Sequence, residues 1–235
     1  MRRFFISLAV MAFPLSVSAA PIPFDFTTLN GGAEGILPNS VTVAGVLAEG
    51  FLTNFTAEPL WLRNGGTDHG LGVCSEGNSN CTSGGGDVNE LDNLDQSEAI
   101  RLTLPTGAAQ WTSLWVSSLD NGGSNNNESG ILEWSNTPTG FTPANTFHFS
   151  FNTFNPSIEE DIVAAALAGG FDPTSKYLLF IADSTNCQSA NCNNDYVVWK
   201  GAYEQPPRLL VPEPGTVALL GAALTVLMFR RRKSA

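Results

Sequence analysis

The chain has 235 residues, 22 of them acidic and 11 basic, for a formal net charge of −11. Aliphatic and aromatic residues are plentiful enough to build a core, which excludes a disordered chain, and the acidic balance argues against a nucleic-acid partner, whose phosphates would repel it. Two basic residues stand among the first three positions and four among the last six; between them, with Glu213 near the C-terminus set aside, five basic face twenty-one acidic residues, a net charge of −16.

The N-terminus is Met1-Arg2-Arg3, then an apolar run from Phe4 to Leu15, then the small residues Ser16 to Ala20. Charged head, apolar stretch and small-residue end make a secretory signal peptide, too short for a lasting membrane span. Cleavage is expected after Ala19, since cutting one residue later would place Pro21 just beyond the scissile bond. The chain therefore divides into a signal peptide over 1–19, an exported domain over 20–205, a linker over 206–210 and a C-terminal tail over 211–235.

The interior reads as β almost throughout, short apolar or alternating runs separated by Gly, Asn, Ser and Pro. Val41 to Leu47 and Phe51 to Phe55 are the early strands. Next come Ile100 to Leu104, with its three apolar residues on one face, and Trp111 to Leu119, with Leu114 and Val116 on one face and Trp111 and Trp115 on the other. Ile131 to Trp134, Phe147 to Phe151, Tyr177 to Ala182 and Asp195 to Lys200 complete the set, Tyr177 to Ala182 being apolar enough for a central strand. One helix interrupts them: Ser157 to Glu160 is spaced as a capping box, and Gly169-Gly170 ends the Ala-rich run. The expected fold is mainly β, a β-sandwich or jelly roll with one short helix.

The segment from Asp87 to Glu98 carries five acids in twelve residues. Hard oxygens clustered in loops beside strands suit Ca²⁺, which takes six to eight of them. Asp87, Glu90, Asp92 and Asp95 are the expected ligands, with Asn93 and Glu98 in reserve. The plain alternative is a solvated acidic loop, and the spacing matches no EF-hand.

Cys74, Cys81, Cys187 and Cys192 all lie in the exported part, and an even count there points to two disulfides. The local pairs Cys74–Cys81 and Cys187–Cys192 are favoured among three connectivities, each closing a short Asn/Ser-rich loop for roughly 2 kcal/mol. Trp111 and Trp115 on one strand face would make a platform for sugar rings, or else fill a core. Asp68, His69 and Ser75 lie close in sequence, but no hydrolase, metalloprotease or P-loop motif accompanies them. His148 reads as a surface histidine.

The tail opens with Val211-Pro212-Glu213-Pro214, continues through an apolar run from Thr216 to Phe229, and ends in Arg230, Arg231, Arg232 and Lys233. Fourteen apolar residues make about 21 Å of helix, short of the roughly 30 Å hydrocarbon core, and snorkelling cations supply part of the difference. The basic cluster should stay cytoplasmic, leaving the domain outside. Triplet, short transmembrane helix and Arg cluster in this order resemble the PEP-CTERM sorting signal. The resemblance implies a Gram-negative exported protein, an inner-membrane intermediate and processing by an exosortase, a membrane cysteine protease. It also implies a destination at the cell surface or in an exopolysaccharide matrix. Gly70-Leu71-Gly72-Val73, Asn89-Glu90-Leu91-Asp92-Asn93 and Glu98 leading into a strand are similar to a group of PEP-CTERM ectodomains that supplies no catalytic residues.

A non-enzymatic surface or matrix protein associated with exopolysaccharide is the expected function. A calcium-dependent carbohydrate-binding module and a secreted glycoside hydrolase are the alternatives.

Overall fold

The computed structural model describes residues 19–65, 68–75, 90–92, 97–119, 128–150, 159–183, 195–206 and 223. The expected signal helix lies outside the described residues, as does the expected C-terminal transmembrane helix apart from residue 223. All elements below belong to one compact unit, Ala20–Gln205.

In chain order they are β1 (Ile22–Asp25), a 3-10 turn (Phe26–Gly32), β2 (Gly35–Ile36), β3 (Ser40–Val43), β4 (Val46–Leu52), β5 (Leu60–Gly65) and β6 (Asp68–Val73). Then follow β7 (Glu98–Thr103), β8 (Gln110–Ser117), β9 (Ser129–Ser135), β10 (Thr146–Ser150), β11 (Glu159–Asp161), α1 (Val163–Ala168), β12 (Tyr177–Ala182) and β13 (Val197–Glu204). The first sheet runs β11-β8-β13-β6-β5-β2 and the second β10-β9-β12-β7-β4-β3. One edge of β13 is shared, taking β6 at Val198 and β1 from Lys200 to Tyr203. Strand pairs are antiparallel throughout the described residues.

The protein is mainly β and sandwich-like, because alternate residues of both sheets meet in one core. Ile100, Leu102, Leu132, Leu178 and Phe180 come from the second sheet, and Leu60, Leu62, Leu71, Leu114 and Val116 from the first. Ile100, Leu102 and Leu104 are buried together, as their alternation predicts. β12 lies between β7 and β9, and even its outward residue Leu179 is only 4% exposed.

Three expectations change. The run Val41 to Leu47 is a hairpin: Val43 pairs with Val46, and Ala44 and Gly45 take φ of 48° and 84° between them. Both central residues at positive φ define a tight turn whose twist matches the strands, and the Tyr203 hydroxyl donates to the Ala44 carbonyl at 2.9 Å. Phe55 lies in the next turn, beyond the end of β4.

The helix begins later than the capping box implies. Glu160 pairs with Val116 at the free edge of β8, and α1 starts at Val163. Asp161 supplies the acceptor, its Oδ1 taking the N–H groups of Val163 and Leu114 at 3.1 Å each. Ser157 lies outside the described residues.

The third change concerns the tryptophans. Ser113 pairs with Ala202 but Trp111 with Tyr203, so Thr112 is an extra residue in β8; Trp199 is likewise extra in β13, between Val198 and Lys200. A bulge shifts the alternation by one position. Trp111 therefore turns into the core beside Leu114 and Val116, its Nε1 donating to the Ser175 carbonyl at 3.0 Å, while Trp115 stays half-buried on the outer face.

Candidate functional site

The acidic segment is built into the fold where the two sheets meet its ends. Leu91 exchanges backbone hydrogen bonds with Tyr196 at 2.8 and 3.3 Å and buries its side chain in the core. Alternation then turns its neighbours away from that core, yet Glu90 and Asp92 are only 5% and 7% exposed.

Arg63 on β5 gathers carboxyls from distant segments. Its Nη1 meets Glu90 Oε1 at 2.7 Å, its Nη2 meets Asp68, and its Nε lies 3.9 Å from Glu34. Ser118 donates to Asp68 at 3.1 Å. Burial, reinforced by the nearby Asp195 charge and opposed by Arg63, pushes the Glu90 carboxyl up to about 8. Its Oε2 is buried without a hydrogen-bond partner.

Glu98, at the start of β7, is 1% exposed. It accepts the N–H groups of Ser75 and Asp92 at 3.2 Å each. Burial, followed by the Asp92 charge, pushes it up to about 9 against a hydrogen bond from the Ser75 hydroxyl and those two backbone ones. Of the four expected calcium ligands, Asp92 stands beside another buried acid, Glu98, while Glu90 pairs with Arg63. Asp87, Asp95 and Asn93 lie outside the described residues. Among the described residues no three of His, Cys, Asp and Glu group as a metal site.

Cys74 is disulfide-bonded and packs with Trp61. Cys81, Cys187 and Cys192 lie outside the described residues, as do Val211, Pro212, Glu213, Pro214 and the basic cluster Arg230 to Lys233.

The outer face of the first sheet carries an aromatic group. Trp115 meets Trp199 edge-on at 6.0 Å, and His69 lies 5.4 Å from Trp199. The Lys200 ammonium sits 3.4 Å from the Trp199 ring centre and 4.8 Å from that of Trp115, close enough for cation–π attraction. Of the two readings of Trp111 and Trp115, the shared sugar platform is therefore not formed: Trp111 fills the core, and Trp115 lies under a lysine. His69 Nδ1 bonds Asn64 Oδ1 at 3.2 Å, and the Ser75 N–H serves Glu98. His148 is half-exposed, as expected, and its Nδ1 bonds the fully buried Asp183 at 2.9 Å.

A pocket absent from the sequence reading lies on the outer face of the second sheet. It encloses about 150 Å³ over a floor of Ala99, Leu179 and Ile181, with Glu133, Phe55 and Phe141 among its walls. Ala99 pairs with Ile181 and Glu133 with Leu179, so one face of β7, β9 and β12 supplies the floor. Burial raises the Glu133 carboxyl against a hydrogen bond from Thr146.

No curated protein and no solved structure matches the chain. Residues 210–233 match the family model for the PEP-CTERM protein-sorting motif. The chain thus carries the sorting motif of an exosortase substrate, an exported protein handled by that membrane protease, joined to an ectodomain of unidentified type.

Proposed function

We propose that the protein is a non-catalytic component of the cell surface or of an exopolysaccharide matrix. The tail holds it briefly in the inner membrane, an exosortase cuts the tail, and the two-sheet domain acts outside the membrane. The observation that carries this reading is the matched motif at 210–233, a few residues beyond the last strand at Glu204. The strongly acidic, disulfide-bearing domain suits an oxidising exterior. Glycoside hydrolysis ordinarily needs two carboxyls flanking the bond, and among the described residues the outer pocket brings in one, Glu133. Replacing Pro212, Glu213 and Pro214 together by alanine tests the reading. Unprocessed full-length protein should accumulate in the inner membrane, and normal processing would refute it.

A calcium-dependent carbohydrate-binding module is the second reading. What favours it is Glu90 Oε2, a buried carboxyl oxygen without a hydrogen-bond partner, close to the charge of Asp195. Glu90 and Asp92 would be ligands, completed by Asp87 and Asp95.

A further inference from the structure

The pocket on the second sheet is built rather than incidental. Leu52 to Phe55 form a turn closed by the Phe55 N–H on the Leu52 carbonyl at 2.8 Å, and Leu52 then takes the Thr56 carbonyl at 2.9 Å. Phe55 stands at φ 64°, the left-handed position that such three-residue hairpin loops usually give to glycine. A bulky residue there is an outlier, and strain of this kind persists where the side chain is used. The ring it carries is 36% exposed and lies near-parallel to Phe141, with centroids 6.4 Å apart.

The loop that bears Phe141 is also fixed in advance. Arg101 donates through Nη1 to the Pro138 carbonyl at 2.8 Å, which holds the loop bearing Thr139 and Phe141. Glu49 Oε2 in turn grips Arg101 through Nε and Nη2 at 3.0 and 2.8 Å. Phe51 lies beneath the guanidinium, 4.8 Å from ring centre to Cζ.

Size and chemistry narrow the guest. A cavity of about 150 Å³ accommodates a single six-membered ring such as benzene. A pure hydrocarbon would leave the carboxyl of Glu133, which lines the pocket with Thr53 and Thr139, to lose water without compensation. An anionic guest would meet both that carboxyl and a domain of net charge −16. Among the described residues Glu133 Oε1 accepts a single long bond, from Thr146 at 3.4 Å, which leaves room for a second donor. A ring with an apolar C–H face and hydroxyl edges satisfies every wall.

We propose that this pocket binds one pyranose ring of a neutral glycan, its C–H face against Phe55 and Phe141 and one hydroxyl on Glu133. The choice of a glycan rests on the matrix reading above, and the pocket adds the sugar class and its contacts.

The test uses the full-length chain in a sugar-free detergent, with methyl glucoside, galactoside and mannoside as probes and methyl glucuronide as the anionic comparison. Saturation-transfer NMR should show transfer to the ring C–H protons of at least one neutral glycoside. Phe55→Gly removes the ring while suiting the left-handed turn, and should weaken binding at least tenfold with the melting temperature kept. Phe141→Ala should do the same. No transfer to any neutral glycoside, equal transfer to the glucuronide, or binding unchanged in both variants would each overturn the proposal. Co-sedimentation with purified exopolysaccharide separates the two claims. If wild type and Phe55→Gly sediment equally, the pocket assignment fails and the matrix reading stands. If glycosides bind the pocket but the wild-type chain does not sediment, the matrix reading fails alone.

Discussion

Replacing Glu98 by glutamine should change how stability depends on pH, not merely its level. Glu98 is 1% exposed, and its carboxyl is pushed up to about 9 from an ordinary 4.5. A carboxyl raised on folding binds protons more tightly in the native state. Its stabilising contribution is whole below about pH 4.5 and is lost as pH climbs through about 9. At 1.36 kcal/mol per unit, the loss from this one group approaches ~6 kcal/mol as an upper bound. Glutamine cannot ionise, so the slope arising at this position disappears. It carries a cost at acid pH, because one amide oxygen cannot serve both the Ser75 and Asp92 N–H groups. Leaving one of them buried and unpaired costs about 1–3 kcal/mol. The two stability curves should therefore cross, with wild type stronger at pH 5 and Glu98→Gln stronger at pH 9. Urea unfolding followed by tryptophan fluorescence across that range reads both. Parallel curves would refute the reasoning.

Calcium at millimolar concentration should raise the melting temperature of the secreted domain, and EDTA should reverse the rise; no shift would count against ligation by Glu90 and Asp92. Bound calcium should also flatten the alkaline loss of stability, because a cation favours ionised carboxyls. Trp111→Ala should cost about 3–5 kcal/mol, since it empties a core site, whereas Trp115→Ala, on the half-buried outer face, should cost far less. Equal losses in denaturant titrations would mean that the bulge at Thr112 is misplaced.

What was legible in the sequence is what depends on neighbouring residues. The sorting tail is a linear string of triplet, apolar run and cations, and needs no fold to be read. Alternation found β7 because it buries one face regularly, and an unbroken apolar run found β12, which is buried on both faces. Alternation misread Trp111, since a bulge is a property of two paired strands and leaves no mark on either alone. The capping box at Ser157 to Glu160 had the right spacing, but the open edge of β8 claimed Glu160 first. Arg63 and Glu90 meet only when β5 and the acidic segment are brought together. The pocket is more distant still from any sequence pattern, drawing Phe55, Ala99, Glu133, Phe141 and Ile181 from separate elements. A bulky Phe in a short Thr-Asn-Phe turn was its one local trace.

The central claim is that the tail holds this exported domain in the envelope until an exosortase processes it. Deleting everything from Val211 onward and fractionating the cells tests it most directly. The account predicts that envelope retention is lost and that soluble domain appears in the periplasm or medium. An unchanged location would contradict it.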